Sequence, residues 1–377
     1  MVYLDNAATT PMYPECVKVL EEYAVKEFFN PSALYAPSVK TAVALNDCRR
    51  YIIKVLKGED NADLIFTASG SEADNIALLC TKKMKNGKII VSEAEHSAVY
   101  NCATELKNRG YEVTFAPVNS DGSLNIEAFE SMLDDKVCLV SVMHVSNETG
   151  AVNDLSAIGK LIRKKAPSAL FHSDGVQAVF KTPVNLAECG VDMYSFSAHK
   201  FHGPKGVGAL YVRKGVSLSP VIFGGGQEKG IRSATENVPG IMAMKKAFEI
   251  NAERFKVDYY KKRDILEYLR QKLSDDKDIR IVSPANSPHI LLLAFKDVRG
   301  EVLMHALEKY GVYVGIGSAC SSRKGVGRLA KILVGERAFQ EGIIRISVSD
   351  YTEKKDADLF IDAVYKEYAL LKKFVRV

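Results

Sequence analysis

The chain is predicted to be an α/β protein, with a mostly parallel sheet flanked by helices and a smaller α+β unit after it. Three observations predict this. Short apolar runs alternate with helical patterns from Asp63 to Val212. After Arg213 that alternation gives way to a long stretch rich in Lys and Glu, then to isolated strand patterns. The 377 residues, 47% apolar and 26% charged, have an ordinary globular composition and exceed what one core usually holds. Two domains are expected: residues 13–250 as the large one, and residues 1–12 with 251–377 as the small one.

Residues 1–12 form a short ordered leading segment that stops at Thr9-Thr-Pro11. Residues 13–27 and 35–57 read as helices. The second carries Val39, Val43, Leu45, Ile52, Val55 and Leu56 at three- and four-residue spacing, and Gly58 suits its end. Strands are expected at Asp63–Thr67, Lys88–Ser92, Glu112–Pro117, Val137–Val142, Leu170–Ser173, Tyr194–Ser197 and Val207–Val212. The helices between them are expected at Glu72–Met84, Ser97–Arg109, Ile126–Leu133, Leu155–Lys165 and Val176–Phe180. A long helix from about Gly240 to Leu273 joins the two parts. The second part has strands near Ile290–Phe295 and Ile344–Val348, with helices at 299–310 and 354–373.

Charge and cysteine content exclude several classes. A net charge of +5, with acids and bases interspersed, gives no nucleic-acid or membrane footprint. No apolar run reaches the length of a membrane span, and Met1–Asn6 is not a secretory leader. The seven cysteines lie far apart without a Cys-x-x-Cys pair, which argues against a disulfide scaffold and against a zinc cluster. A reducing cytoplasm is the expected compartment.

In open α/β sheets ligands bind at the carboxyl ends of strands, and the chemically suggestive residues fall there. Ala68-Ser-Gly-Ser-Glu72 lies between a strand and a helix. Gly70 permits close approach and Ser71 adds a hydroxyl, so the helix start suits a phosphate; a plain serine N-cap is the alternative. His96 follows the next strand and suits stacking on a flat heterocycle or proton movement. Asn147, in a polar turn, offers a directional donor and acceptor, or merely turn chemistry. Asp174 stands where a strand stops. It suits pairing with the protonated ring nitrogen of pyridoxal phosphate, or an N-cap; Gln177 nearby suits the ring's phenolic oxygen. Lys200 ends a run of aromatic and small residues and is followed by a Gly-Pro turn. A lysine held from water there would have a lowered pKa and suit a Schiff base with an aldehyde; a surface lysine before a turn is the alternative. Phosphate anchor, stacking residue, ring partner and lysine thus occur in order at successive strand ends.

The matching motifs span nearly the whole chain. They are Tyr3–Pro11, Phe66–Asn75, Glu95–Val99, the Asp174 segment, Ser197–Lys200 with Gly203–Gly206, Gly224–Glu228 with Thr235–Asn237, and Gly317–Ser322. On them the chain resembles the cysteine desulfurases of the NifS/IscS type, among the class V aminotransferase-like enzymes that use pyridoxal phosphate. The resemblance implies the transferase fold of fold type I, and a homodimer. It implies that Lys200 carries the cofactor and that Gly70, Ser71, Ser197 and His199 hold its phosphate, with Thr235 added from the partner subunit. It further implies that His96 stacks on the ring and shuttles protons, and that Asn147 and Arg345 bind the substrate carboxylate. A guanidinium matches a carboxylate with two parallel hydrogen bonds; a charge on a half-exposed strand is the plainer reading of Arg345.

Cys320 selects the reaction. It lies in Gly317–Gly327, a small, polar, glycine-rich stretch in which Arg323 and Lys324 favour the thiolate. The resemblance implies that Cys320 takes the sulfur of L-cysteine as a persulfide, releases L-alanine and passes the sulfur to an acceptor protein. That acceptor is an iron–sulfur scaffold or a tRNA or thiamine thiolation enzyme. A selenocysteine lyase or another class V lyase is the alternative enzyme. A weakly active sulfur-delivery or assembly subunit is the alternative of another class. The chain departs from the family pattern at Ala234, at Val314–Gly317, at Gly325–Leu333 and at Val348-Ser-Asp350.

Overall fold

The computed structural model describes residues 1–80, 87–316 and 329–374. Strand β1 (Val2–Leu4) leads into helices α1 (Pro14–Val25) and α2 (Ala36–Val55). Seven strands then build the main sheet: β2 (Asp63–Thr67), β3 (Lys88–Ser92), β4 (Glu112–Ala116), β5 (Val137–Ser141), β6 (Leu170–Asp174), β7 (Met193–Ser197) and β8 (Gly208–Val212). Their spatial order is β2-β8-β7-β6-β5-β3-β4. Only β8 runs against its neighbours, so β2 to β7 all point their carboxyl ends to one edge. Helices α3 (Gly70–Leu79), α4 (Ser97–Asn108), α5 (Ile126–Met132) and α6 (Leu155–Lys165) connect these strands, and a short α7 (Leu186–Cys189) precedes β7.

The strands read as continuous apolar runs because both faces of the sheet are covered. Consecutive residues feed opposite cores. Ile90, Val140 and Phe171 pack with α1, α2 and the start of the long helix α8 (Val238–Leu273), while Ile89, Val91 and Leu139 pack with α3 and α4. Burying a side chain of that size contributes about 2 kcal/mol. Aspartate and asparagine caps start α6 and α5. Asp154 Oδ1 accepts from the Ala157 N–H (3.0 Å) at α6, and Asn125 Oδ1 from the Ala128 N–H (3.0 Å) at α5.

Helix α8 is 36 residues long and ends in a separate core. That core contains Ile265, Leu266, Leu269 and Leu273 of α8 together with Val2 and Leu4. It is built on a three-stranded antiparallel sheet, with β10 (Ile290–Phe295) between β9 (Ile279–Ile281) and β12 (Ile343–Ser347). Helices α9 (Gly300–Glu308) and α12 (Lys354–Leu371) cover it. Strand β11 (Val312–Val314) pairs in parallel with β1. Bridges from Asp5 to Ser347 and from Gly315 to Arg345 attach that pair to β12. Short helices α10 (Ala330–Val334) and α11 (Arg337–Gln340) pack on a fourth cluster with Leu292 and Ile343.

One expected element does not form. Val176–Phe180 is a run of turns, with Phe180 at φ 59°, instead of a helix. Its backbone closes in short turns, the Ala178 and Val179 N–H groups both bonding Gly175 O (2.8 and 3.2 Å), while Asp174 Oδ1 takes the Val176 N–H (2.8 Å) and the Gln177 side chain reaches back to Ala7. The part of the expected α3 beyond Cys80 lies outside the described residues, as do Gly317–Gly327 with Cys320, Arg323 and Lys324. Among the described residues no helix is long and apolar enough to cross a membrane, and the six described cysteines are buried thiols without a disulfide.

Candidate active site

A cleft of about 540 Å³ opens at the carboxyl edge of the main sheet, facing the β1–β11 pair and β12. It is lined by Gly70, Ser71, His96, Asn147, Asp174, Gln177, Ser197, His199, Lys200 and Arg345. Parallel strands bring the first nine to one edge because each follows a strand with the same sense. Arg345 arrives from the second sheet. Thr235 lies apart: it is exposed and borders a separate hollow with Phe66, Ala68 and Arg232. Its segment is nevertheless tied to helices α3 and α2. Arg232 Nε donates to Glu72 Oε1 (2.8 Å), and Arg49 makes a two-point pair with Glu228 (2.7 Å each).

Ser69 is the N-cap of α3, its Oγ accepting from the Glu72 N–H at 3.1 Å. The cap leaves the first N–H groups of the helix, at Gly70 and Ser71, on the wall of the cleft, where they suit an anion. A Cβ on Gly70 would stand 2.6 Å from Val176 Cγ2, so this wall has no room for a side chain there. Ser197 ends β7, and His199 follows in a short 3-10 turn. Burial lowers the His199 pKa to about 4, with the charges of Lys200 and Lys205 adding to the effect. Its Nδ1 lies 3.1 Å from Thr9 Oγ1.

Lys200 Nζ donates to the carbonyls of Ala7 (2.6 Å) and Ala8 (2.9 Å). Burial lowers its pKa to about 8; Arg345 pushes it the same way, while Asp174 and Asp5 pull it back. Asp174 is 4% exposed. Burial raises its pKa, and His96, the Val176 N–H and Lys200 pull it down. His96 caps α4, its Nδ1 accepting from the Ala98 N–H (3.1 Å). Side-chain atoms of His96, Asp174 and Asp74 lie within 4.8 Å of one another. Asp74 is buried, and burial together with the Asp174 charge pushes its pKa well up, so the two carboxylates share a site that disfavours two negative charges. Behind them His172 bridges Ser141 (2.9 Å) and Ser195 (3.0 Å) and stays neutral, burial lowering its pKa to about 3.

Gln177 is fixed from both ends. Its Nε2 donates to Ala7 O (2.8 Å), and its Oε1 lies 3.0 Å from His289 Nε2. Arg345 is 8% exposed, so it does not lie on a half-exposed strand. Its Nη1 donates to Asn147 O (2.8 Å) and its Nη2 pairs with Asp5 Oδ1 (2.8 Å). The Asn147 side chain donates to Glu148 Oε1 (3.1 Å). Asp5, Asp74 and His289 are absent from the residues singled out in the sequence. Asp5 and Asp74 stand inside quoted motifs, Tyr3–Pro11 and Phe66–Asn75, but local spacing carries no sign of their partners.

The model of the aminotransferase class-V family matches residues 2–360. The chain belongs to the class-V aminotransferase family. It is a NifS/IscS-like, pyridoxal-phosphate-dependent enzyme of the cysteine desulfurase type. It is 35% identical over 370 residues to a cysteine desulfurase of Nostoc sp., covering 97% of this chain and 92% of the relative. It is 38% identical over 386 residues to a NifS/IcsS protein homolog of Lactobacillus delbrueckii, covering 98% of each. A solved NifS-like protein superposes with a TM-score of 0.91 at 31% identity, covering 98% of this chain and 100% of the other. These likenesses carry the fold type I architecture, and the cleft fits the cofactor. It offers a buried amine with a lowered pKa, a buried carboxylate for a protonated ring nitrogen, and a bare helix start for a phosphate.

Proposed function

We propose that the enzyme converts L-cysteine to L-alanine, placing the sulfur on Cys320 as a persulfide and passing it to an acceptor protein. The observation that carries this reading is the convergence of Lys200, Asp174 and Arg345 on one cleft whose described lining includes Ile316, four residues before Cys320 in the sequence. Bound pyridoxal phosphate supplies an aldehyde that links to amines and a ring that takes up an electron pair.

The chain's residues then have distinct tasks. The α3 start, Ser197 and His199 hold the phosphate, and Thr235 of a second subunit completes that grip in a homodimer. Asp174 keeps a proton on the ring nitrogen. Gln177, held by Ala7 and His289, aims an amide N–H at the ring's oxygen. Arg345 and Asn147 hold the substrate carboxylate, which orients the Cα–H bond toward Lys200. Lys200 Nζ, about half deprotonated near pH 8, accepts that proton. His96 covers the ring and moves protons on the opposite side. The Cys320 thiolate attacks the substrate sulfur; the S–S bond forms as the substrate's C–S bond breaks. The electron pair of that bond stays with the carbon fragment, which is protonated to give alanine. The persulfide is then open to a thiol of the acceptor, an iron–sulfur scaffold or a thiolation enzyme.

Replacing Cys320 by Ala tests the assignment. The C320A enzyme is expected to stay yellow and to bind L-cysteine, yet form no protein-bound persulfide and release alanine at under a hundredth of the normal rate. Normal turnover by this variant would refute the role of Cys320.

A further inference from the structure

Arg345 is not a bare cation awaiting a substrate. Its Nη2 lies 2.8 Å from Asp5 Oδ1, and its Nη1 donates to Asn147 O at 2.8 Å. A guanidinium has five N–H donors, so three make no bond among the described residues. One of the three, on Nε, is fully buried and has no hydrogen-bond partner among the described residues. The group is therefore paired in charge but only partly satisfied in hydrogen bonds there. Gly315 seals the pair from the side. A Cβ there would stand 2.6 Å from Asp5 Oδ1 and 3.1 Å from Arg345 Nη2. Backbone bonds between Gly315 and Arg345 run in both directions, at 2.9 and 2.6 Å. Asp5 is itself anchored by the Asp5–Ser347 bridge to the strand that carries Arg345. Both Asp5 and Arg345 line the cleft.

We propose that Asp5 is a specificity-determining residue: a resident carboxylate beside Arg345 that lets the arginine take the single α-carboxylate of a zwitterionic amino acid and disfavours a ligand bringing a second negative charge. The inference rests on Arg345 as the carboxylate-binding residue. Its physical basis is charge. One cation faced by one built-in anion has room, by its free N–H donors, for one more acceptor. A ligand whose side chain is also an anion places that charge in a cleft already holding Asp5 and Asp174. In this partly buried cleft such repulsion is worth about a tenfold change in affinity.

The test uses the holoenzyme and two amino acids without sulfur, L-alanine and L-aspartate, titrated against the cofactor absorbance. In the D5N variant, which keeps the side chain's shape, the ratio of the aspartate Kd to the alanine Kd is expected to fall about tenfold. In the D5E variant, which keeps the charge, the ratio should stay near that of the parent. A D5N ratio within twofold of the parent, or a higher one, with an unchanged melting temperature, overturns the proposal. Should D5N fold poorly, D5S gives the same comparison of ratios. The R345Q variant separates the underlying reading. It is expected to weaken both ligands about a hundredfold. Normal binding of both by R345Q overturns the carboxylate role of Arg345 whatever Asp5 does.

Discussion

Lys200 is an amine made reactive by its surroundings. A free lysine side chain holds its proton to about pH 10.4. Burial, and then the charge of Arg345, bring Lys200 down to about 8. Only the neutral amine attacks an aldehyde. Capture of pyridoxal phosphate by the apo-enzyme should therefore accelerate as pH rises through about 8 and level off above it, measured by absorbance in a stopped-flow pH series. Replacing Arg345 by Gln removes one of the lowering charges and should move that midpoint upward. A midpoint near that of free lysine in the parent enzyme would contradict the buried setting of the amine. Residue type and position at the end of β7 make Lys200 conspicuous in the sequence. Its carbonyl partners, Ala7 and Ala8, lie nearly the whole large domain away in the chain and carry no side-chain signal.

At the scale of elements, three segments meet in one buried knot. Tyr13, just before α1, donates to Asp350 Oδ2 (2.9 Å), and His202, after β7, lies 2.7 Å from Asp350 Oδ1. The Tyr13 and His202 rings stack at 4.5 Å, and His202 Nδ1 is held by Pro11 O (2.8 Å). Asp350 follows β12, so the knot fastens the arginine strand to the turn behind Lys200. The departure Val348-Ser-Asp350 from the family pattern thus has a local partner set of its own. Burial pushes the Asp350 carboxyl up, but His202 and Tyr13 more than offset that and hold it well below the usual carboxylate range. A depressed carboxylate contributes stability above its unfolded pKa of about 3.9 and loses it as pH falls. Asp350→Asn should cost about 3 kcal/mol near neutral pH, since one partner of a buried pair is left alone. The gap between variant and parent should close below pH 4, as read by urea denaturation. A constant gap down to pH 2 would rule out the ion pair as its source.

At the scale of the molecule, α8 joins the cores of the main sheet to that of the second sheet, and the joint contains buried lysines. Lys181 is 3% exposed; burial first, then Lys262, lowers its pKa to about 7. Lys262 is buried as well and donates to Phe180 O (3.2 Å). Between about pH 7 and 10 the unfolded chain binds a proton at Lys181 that the folded chain does not, so folding gains stability as pH rises through that window. The Lys181→Met variant should lose up to about 1.4 kcal/mol of that gain per pH unit. Comparing its denaturation with the parent's between pH 7.5 and 9.5 cancels the cysteines and tyrosines common to both. Identical slopes would show that Lys181 is protonated in the fold. The surface also carries exposed apolar side chains, among them Phe28, Leu34, Tyr35 and Phe223. A homodimer covering them and delivering Thr235 to the second subunit should appear in sedimentation at twice the 41.5 kDa chain mass. A monomeric, fully active enzyme would exclude that role of Thr235.

The sequence by itself determined the alternation of β2 to β8 with their helices, and hence the strand ends at which Ser71, His96, Asp174 and Lys200 stand. Those positions follow from periods and turn residues only a few places apart, which is the range over which backbone geometry constrains a chain. It misread Val176–Phe180, whose backbone closes in successive turns on Gly175 O and Ala178 O and leaves the helical region at Phe180, φ 59°. The tertiary structure alone decided which groups face one another across the cleft. It closed β12 onto β1, set Arg345 against Asp5 across 340 positions, clamped Gln177 from His289 across 112, and left Thr235 outside the cleft of its own chain. Such contacts arise from packing one sheet against another, and no local spacing records them.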